Sequence, residues 1–366
     1  MTDHTKQTVA LDVMGADGGP EPIVRGGVDA ARRLGDDGYV VLVGDEARIT
    51  AILSQIDKCP SNLSVRHADT EITMHMAPTE GVRRRDSSMA VGLKLVHNGE
   101  AGAFLSAGNT GAVMATSLLT LGRIKGVSRP AIAGAFPTNN NRSCVVLDVG
   151  ANADCKPKHL AQFAVMGSIY SQILFDIKSP RVGLISIGEE RSKGNELIFS
   201  ATRLLRKLSI NFIGNIEGRD ILGGDIDVAV TDGFTGNILL KFGESFKPFL
   251  VSRFAQQVRT NFFSRIGAAL LVPFLRRIKN SFDYAHAGGA PLLGVNGVVI
   301  ICHGASDQRA ISNAVVLSHD MIRKRLKKRI EDELTTNHFG NGKESDDKSQ
   351  NHRDGVVYSS NGDDQR

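Results

Sequence analysis

The sequence predicts an α/β protein whose parallel strands are covered by helices. Three observations carry that prediction. Short apolar runs, most of them rich in β-branched residues, recur without polar alternation, the mark of strands buried on both sides. Several end in a cluster of Gly, Asn, Asp or Thr, after which a helical pattern begins. The chain of 366 residues is 41% apolar with 39 Gly, 5% aromatic and no Trp, which suits backbone-lined turns between buried strands better than an all-β shell. Length alone allows two domains or one large one.

The runs and their turns follow one another in order. TVALDV (8–13) leads into MGADGGP, AFLS (103–106) into AGNTGA, and CVVLD (144–148) into VGANAD. VGLISI (182–187) leads into GEERSKGN, NFIGN (211–215) into IEGRD, VAV (228–230) into TDGFTGN, and VVIIC (298–302) into HGAS. A parallel sheet binds ligands beyond the carboxyl ends of its strands, where the next helices begin with unpaired N–H groups. Seven such turns on one edge would build an anion-lined crevice. Any one of them alone is structural punctuation, and neither a full GxGxxG nor a P-loop is present.

Two regions stand apart. Over 243–285 the pattern becomes helical, with Phe246, Phe249, Leu250, Phe254, Val258 and Phe262 three or four residues apart and Pro273 interrupting a second stretch. A helical hairpin inserted into a domain spanning 1–330 is expected. Residues 331–366 are polar and nearly free of aliphatic side chains, which predicts a disordered tail. That tail holds 9 acidic and 4 basic residues against a formal net charge of +5, so 1–330 carry about +10 and attract anionic partners. The 22 uncharged residues of 101–122 contain too many polar and Gly positions for a membrane span. Cys59, Cys144, Cys155 and Cys302 show no metal-type or CxxC spacing, and the N-terminus has no signal layout. A reducing cytoplasm is expected.

The segments ALDVMGADGGPE, SAGNTGAVMA, DVGANADCKP, GNIEGRDI, TDGFTGN and HGASD, in that order over about 8–326, closely resemble the phosphate acyltransferase family of bacterial phospholipid synthesis. These are the acyl-carrier-protein:phosphate transacylases. The resemblance implies a three-layer α/β/α sandwich with a mostly parallel sheet, similar to phosphotransacetylases and isocitrate/isopropylmalate dehydrogenases, here with a protruding hairpin. It also implies a dimer working in the cytoplasm beside the membrane. The implied reaction moves a long acyl chain from acyl carrier protein to inorganic phosphate, without cofactor or metal, and with no nucleic acid as partner.

Phosphate is itself the nucleophile in such a reaction, so the site must hold a dianion and stabilise an oxyanion and a departing thiolate. Backbone donors, amides and cations at strand ends answer that need: Asn109, Thr110 and Gly111; Asn152; Lys193, Gly194 and Asn195; Asn215 and Glu217; Asn237. Lys193 would contact phosphate or the carrier's pantetheine arm, against the alternative of a solvated surface lysine. Thr110 would cap a helix opening on the crevice, against plain capping. Asp232 is the candidate base or orienting group, against an Asp-Gly turn, and Asn237 would present its amide. His303 is expected to donate to phosphate or oxyanion, against a turn histidine. Cys302 is disfavoured as a nucleophile because neighbouring strand residues point to opposite faces.

The hairpin unites Ile266, Leu270, Leu271 and Phe274 with Arg276 and Arg277, a composition suited to an anionic membrane surface, with a buried dimer contact as the alternative. Acyl phosphate would then pass to a membrane-bound glycerol-3-phosphate acyltransferase. Basic residues such as Arg83, Arg84, Arg85, Arg203, Arg206 and Lys207 could receive the acidic carrier protein, against the commoner alternative of solvated faces. Competing readings are a phosphotransacetylase-like enzyme using acyl-CoA and a non-catalytic scaffold for the carrier.

Overall fold

The computed structural model describes residues 7–140, 142–258, 267, 268, 270, 271, 274 and 288–337. The strands among them are β1 (Thr8–Asp12), β2 (Tyr39–Gly44), β3 (Leu63–His67), β4 (Ala103–Ser106), β5 (Ala131–Pro137), β6 (Ser143–Leu147), β7 (Val182–Ile185), β8 (Phe212–Ile216), β9 (Val228–Val230), β10 (Ala290–Leu293) and β11 (Val298–Ile301). The helices used below are α1 (Pro20–Leu34), α2 (Glu46–Leu53), α3 (Pro78–Gly81), α4 (Ser88–His97), α5 (Thr110–Leu121), α6 (Pro157–Phe175), α7 (Glu196–Leu205), α8 (Asp220–Gly223), α9 (Gly233–Val258), α10 (Gln308–Arg323) and α11 (Leu326–Thr336).

The strands form one sheet in the order β3-β2-β1-β4-β11-β10-β5-β6-β9-β7-β8. Alternation along each strand sends side chains into two cores. Val9, Leu11, Val145 and Leu147 face α1, α6, α7, α10 and α11, whereas Ala10, Phe104, Cys144 and Val146 face α4, α5, α8 and the Leu239–Leu240 turn of α9. The three-layer α/β/α sandwich is therefore present. Strands β1 and β6 are buried at every position, which explains their unbroken apolar sequence.

The sheet reverses direction at its centre. β1, β2, β3, β4 and β11 are mutually parallel, and β6, β7, β8 and β9 are mutually parallel. Between the groups lie β10, antiparallel to β11, and β5, antiparallel to both β10 and β6. Three antiparallel steps leave the second group running opposite to the first. The seven turns therefore belong to two strand groups of opposite direction, and the registers carried through β10 and β5 bring the end of β6 at Leu147 level with Ile300 near the end of β11.

Two boundaries also shift. α9 begins at Gly233, ten residues before the helical pattern at 243, and carries Pro248 within it. α11 crosses the expected boundary at 330 because Leu326, Ile330 and Leu334, spaced by four, are buried. The tail beyond 337 and most of the hairpin lie outside the described residues, including Ile266, Arg276 and Arg277. Leu270, Leu271 and Phe274 are exposed helical positions. Among the described residues no helix is long and apolar enough to cross a membrane.

Candidate active site

The first rim collects the ends of β1, β4 and β11. Asp12 is buried, and its carboxylate accepts hydrogen bonds from Ser106 Oγ at 2.7 Å and the Met14 N–H at 3.1 Å. Burial pushes its carboxyl up to about 6. Ser106 Oγ in turn accepts from the Gly108 N–H at 3.0 Å, fixing the turn that leads into α5. Asn109, not Thr110, caps that helix, because Asn109 Oδ1 accepts from the Ala112 N–H at 3.0 Å. Asn109 Nδ2 donates to the carbonyls of Met74 and Met76, at 2.8 and 3.1 Å. Thr110 is thus the first helical residue, and Gly111 is small because Pro78 presses on it: a Cβ there would meet Pro78 Cγ at 2.7 Å.

His303 follows β11. Its Nδ1 accepts from the Ala305 N–H at 3.1 Å, so a neutral ring carries its proton on Nε2. Cys302 is buried, and desolvation pushes its thiol up to about 12, which removes it as a nucleophile at neutral pH.

The second rim collects the ends of β6, β9, β7 and β8. At its base the buried Asp148 carboxylate accepts five hydrogen bonds: Oδ1 from the N–H groups of Ile132, Gly150 and Ala151, and Oδ2 from the Asn152 N–H and Nδ2. Asn152 Nδ2 also donates to the Pro130 carbonyl at 2.7 Å. Asp232 ties down the first turn of α9, accepting from the Thr235 N–H at 2.8 Å and Oγ1 at 3.0 Å. Asn237 follows one turn later, exposed beside Gly150.

Because β9 is hydrogen-bonded to β6 on one side and to β7 on the other, the Asp232–Asn237 turn stands between the Asn152 loop and the Lys193 loop. Asn215, ending β8, shapes the latter by donating to the carbonyls of Glu190 and Lys193, each at 3.1 Å. Gly194 adopts φ +126, where a Cβ would strike Ile198, and Asn195 caps α7 through the Ile198 N–H. Glu217 pairs with Arg219, which also reaches Glu189.

The expected anion ligands therefore separate into two kinds. The amides of Asn109, Asn152 and Asn215 and the capping oxygen of Asn195 are engaged in holding backbone. Among the described residues the Lys193 ammonium makes no ion pair, and neither that group nor the Asn237 amide makes a hydrogen bond. His303 Nε2 is likewise open. Asn109, Thr110, Gly111 and His303 follow strands of the first group, while Asn152, Lys193, Gly194, Asn195, Asn215, Glu217, Asp232 and Asn237 follow strands of the second. β11 and β7 lie five strand positions apart, roughly 24 Å at the usual strand spacing. The sequence reading passed over Asp148 and Ser106. The available signal was the Leu-Asp-Val pair at 11–13 and 147–149, each an acid ending a fully buried strand with no base beside it. Among the described residues no cluster suits a metal ion.

The comparisons agree with one another. The model of the family described as "Fatty acid synthesis protein" matches residues 7–329. A phosphate acyltransferase from Pelotomaculum thermopropionicum is 46% identical over 87% of this chain and 92% of its own length. One from Moorella thermoacetica is 48% identical over 84% of this chain and 90% of its own. Among solved structures, a phosphotransacetylase from Streptococcus pyogenes aligns over 86% of this chain and 94% of its own with TM-score 0.57 at 17% identity. The EutD phosphotransacetylase from Staphylococcus aureus aligns over 87% and 95% with TM-score 0.56 at 16% identity, and both show the shared fold. With close relatives matched over nearly their whole length, the chain is an acyltransferase and belongs to the phosphate acyltransferase family.

Proposed function

We propose that the chain transfers a long-chain acyl group from the thioester of acyl carrier protein to inorganic phosphate, giving acyl phosphate for phosphatidic acid synthesis. The observation that carries this is the second rim, where the Lys193 ammonium and the Asn237 amide, both without a partner among the described residues, stand on the loops of adjacent parallel strands. A cation and an amide on neighbouring loops suit a phosphate dianion. Among the described residues the cysteine nearest this rim, Cys155, is not an activated nucleophile, because its thiol is pushed up to about 12 by desolvation and by Asp148.

In this reading hydrogen phosphate attacks the thioester carbonyl. The new C–O bond forms, the C–S bond breaks, and the proton lost by phosphate ends on the departing thiol. Asp232, already oriented by Thr235, is the carboxylate placed to carry it. Trapping acyl phosphate as its hydroxamate, with long-chain acyl-carrier protein or acyl-CoA as donor, tests the reaction. Wild type is expected to work with the carrier-bound donor, and Lys193→Met to lose roughly tenfold to hundredfold in rate at low phosphate. Transfer from acyl-CoA alone would identify the donor as coenzyme A, and no transfer from either would leave a scaffold.

We further place the protein at the cytoplasmic face of the membrane as a homodimer that hands its product to a membrane-bound glycerol-3-phosphate acyltransferase. Exposed Leu270, Leu271 and Phe274 support the lipid contact, and the exposed row Phe242, Phe246, Phe249 on α9 supports an apolar partner. Replacing Leu271 and Phe274 by Glu is expected to abolish co-sedimentation with anionic liposomes. Undiminished sedimentation would exclude that contact.

A further inference from the structure

We propose that Asp148 is a positioning residue for acyl transfer, whose carboxylate locks the Val149–Asn152 loop under the first turn of α9 and so sets where Asp232 and Asn237 stand; this rests on the function proposed above. Asp148 is fully buried and makes no ion pair among the described residues. Its charge is met instead by five N–H donors drawn from β5, the loop and the Asn152 amide. Five donors on one carboxylate leave no acceptor site for a substrate, so Asp148 acts through its neighbours.

Those neighbours form the wall of the second rim. The Gly233 N–H donates to the Asn152 carbonyl at 2.8 Å, so the loop that Asp148 folds is the loop on which α9 begins. A Cβ on Gly233 would lie 2.7 Å from Asp148 Oδ2, and one on Gly236 would lie 1.9 Å from the Asp148 carbonyl oxygen. Asp232 precedes the first of these glycines and Asn237 follows the second. The functional pair is thus held from both ends on one buried acid. An amide at 148 would offer one acceptor oxygen and turn an NH2 group toward N–H groups, which would release the loop.

Asp148→Asn, with Asp148→Glu and Asn152→Ala as companions, tests this by two readouts. Hydrogen exchange, which needs no turnover, is expected to quicken at 231–237 in Asp148→Asn, and less in Asn152→Ala, while the exchange of β1 and β4 stays as in wild type. In the hydroxamate assay kcat is expected to fall at least tenfold with the KM for the thioester within twofold, and the double variant Asp148→Asn/Asn237→Ala to lose less than the product of the two single losses, because Asp148 acts in part through Asn237. Unchanged exchange at 231–237 would overturn the proposal whether or not the transfer reaction is as proposed. So would losses that multiply in the double variant. If Asp148→Asn does not fold, Asn152→Ala decides by the same exchange measurement.

Discussion

Replacing Gly236 by Ala is expected to destabilise the protein by roughly 3 kcal/mol or more and to lower Tm by roughly 4 °C. The position is helical, so Ala taken alone should gain about 1 kcal/mol over Gly. Sterics outweigh that gain. The added Cβ would stand 1.9 Å from the Asp148 carbonyl oxygen and 2.9 Å from its carbon. Neither atom can retreat, since the Asp148 N–H is bonded to the Thr231 carbonyl at 3.0 Å and the Thr231 N–H to the Leu147 carbonyl at 2.7 Å. The start of α9 must move instead, taking Asn237 with it. Gly223→Ala is the control: a Cβ there meets nothing within 4 Å, and the expected change is neutral to slightly stabilising. Thermal melts of both variants check the pair. Equal melting of Gly236→Ala and wild type would mean that α9 is not seated on β6.

The strands that carry the turns were legible because burial on both faces writes itself as an unbroken apolar run. β5 and β10 were not. AIAGAFP is diluted by Ala, Gly and Pro, and APLL is short and begins beside Gly288 and Gly289. Those two strands reverse the sheet between the two groups of turns. Sequence names the turn residues but not the direction from which each strand arrives.

The same limit governs the amides. An Asn after a strand reads alike whether it faces a ligand or a carbonyl, and the partners of Asn109 and Asn215 are 35 and 22 residues away in sequence. The Asn215 clamp still serves the site indirectly, because it holds the backbone of Lys193. Lys193 and Asn237 were singled out by type and place, and that their donors stand open among the described residues is a property only the fold reveals.

Asp12→Asn is expected to stabilise the protein by about 2 kcal/mol at pH 7 and to flatten its stability between about pH 4 and pH 6. Burial raises this carboxyl from 3.8 to about 6, a difference of about 3 kcal/mol between the charged and neutral forms. The Ser106, Ser88 and Met14 groups ease the charge without offsetting burial, and Glu71 opposes it. An amide removes the charge and forfeits part of the two hydrogen bonds, at a cost of about 1 kcal/mol. The folded chain holds the Asp12 proton more tightly than the unfolded chain does. Wild-type stability from this group is therefore complete below about pH 4, falls as pH rises through about 6, and stays low above it. The variant has no such proton, so its advantage should vanish by pH 4 and be full at pH 7.5. Denaturant titrations at pH 4.5, 6 and 7.5 measure the difference, and a variant weaker than wild type at pH 7.5 would contradict it. A carboxylate that weakens the fold where it is ionised, beside Ser106 and the turn into α5, belongs with the buried acids that cluster at functional sites. The same variant should therefore gain stability and lose transfer rate in one substitution, and a gain in stability with full activity would reduce Asp12 to a structural residue.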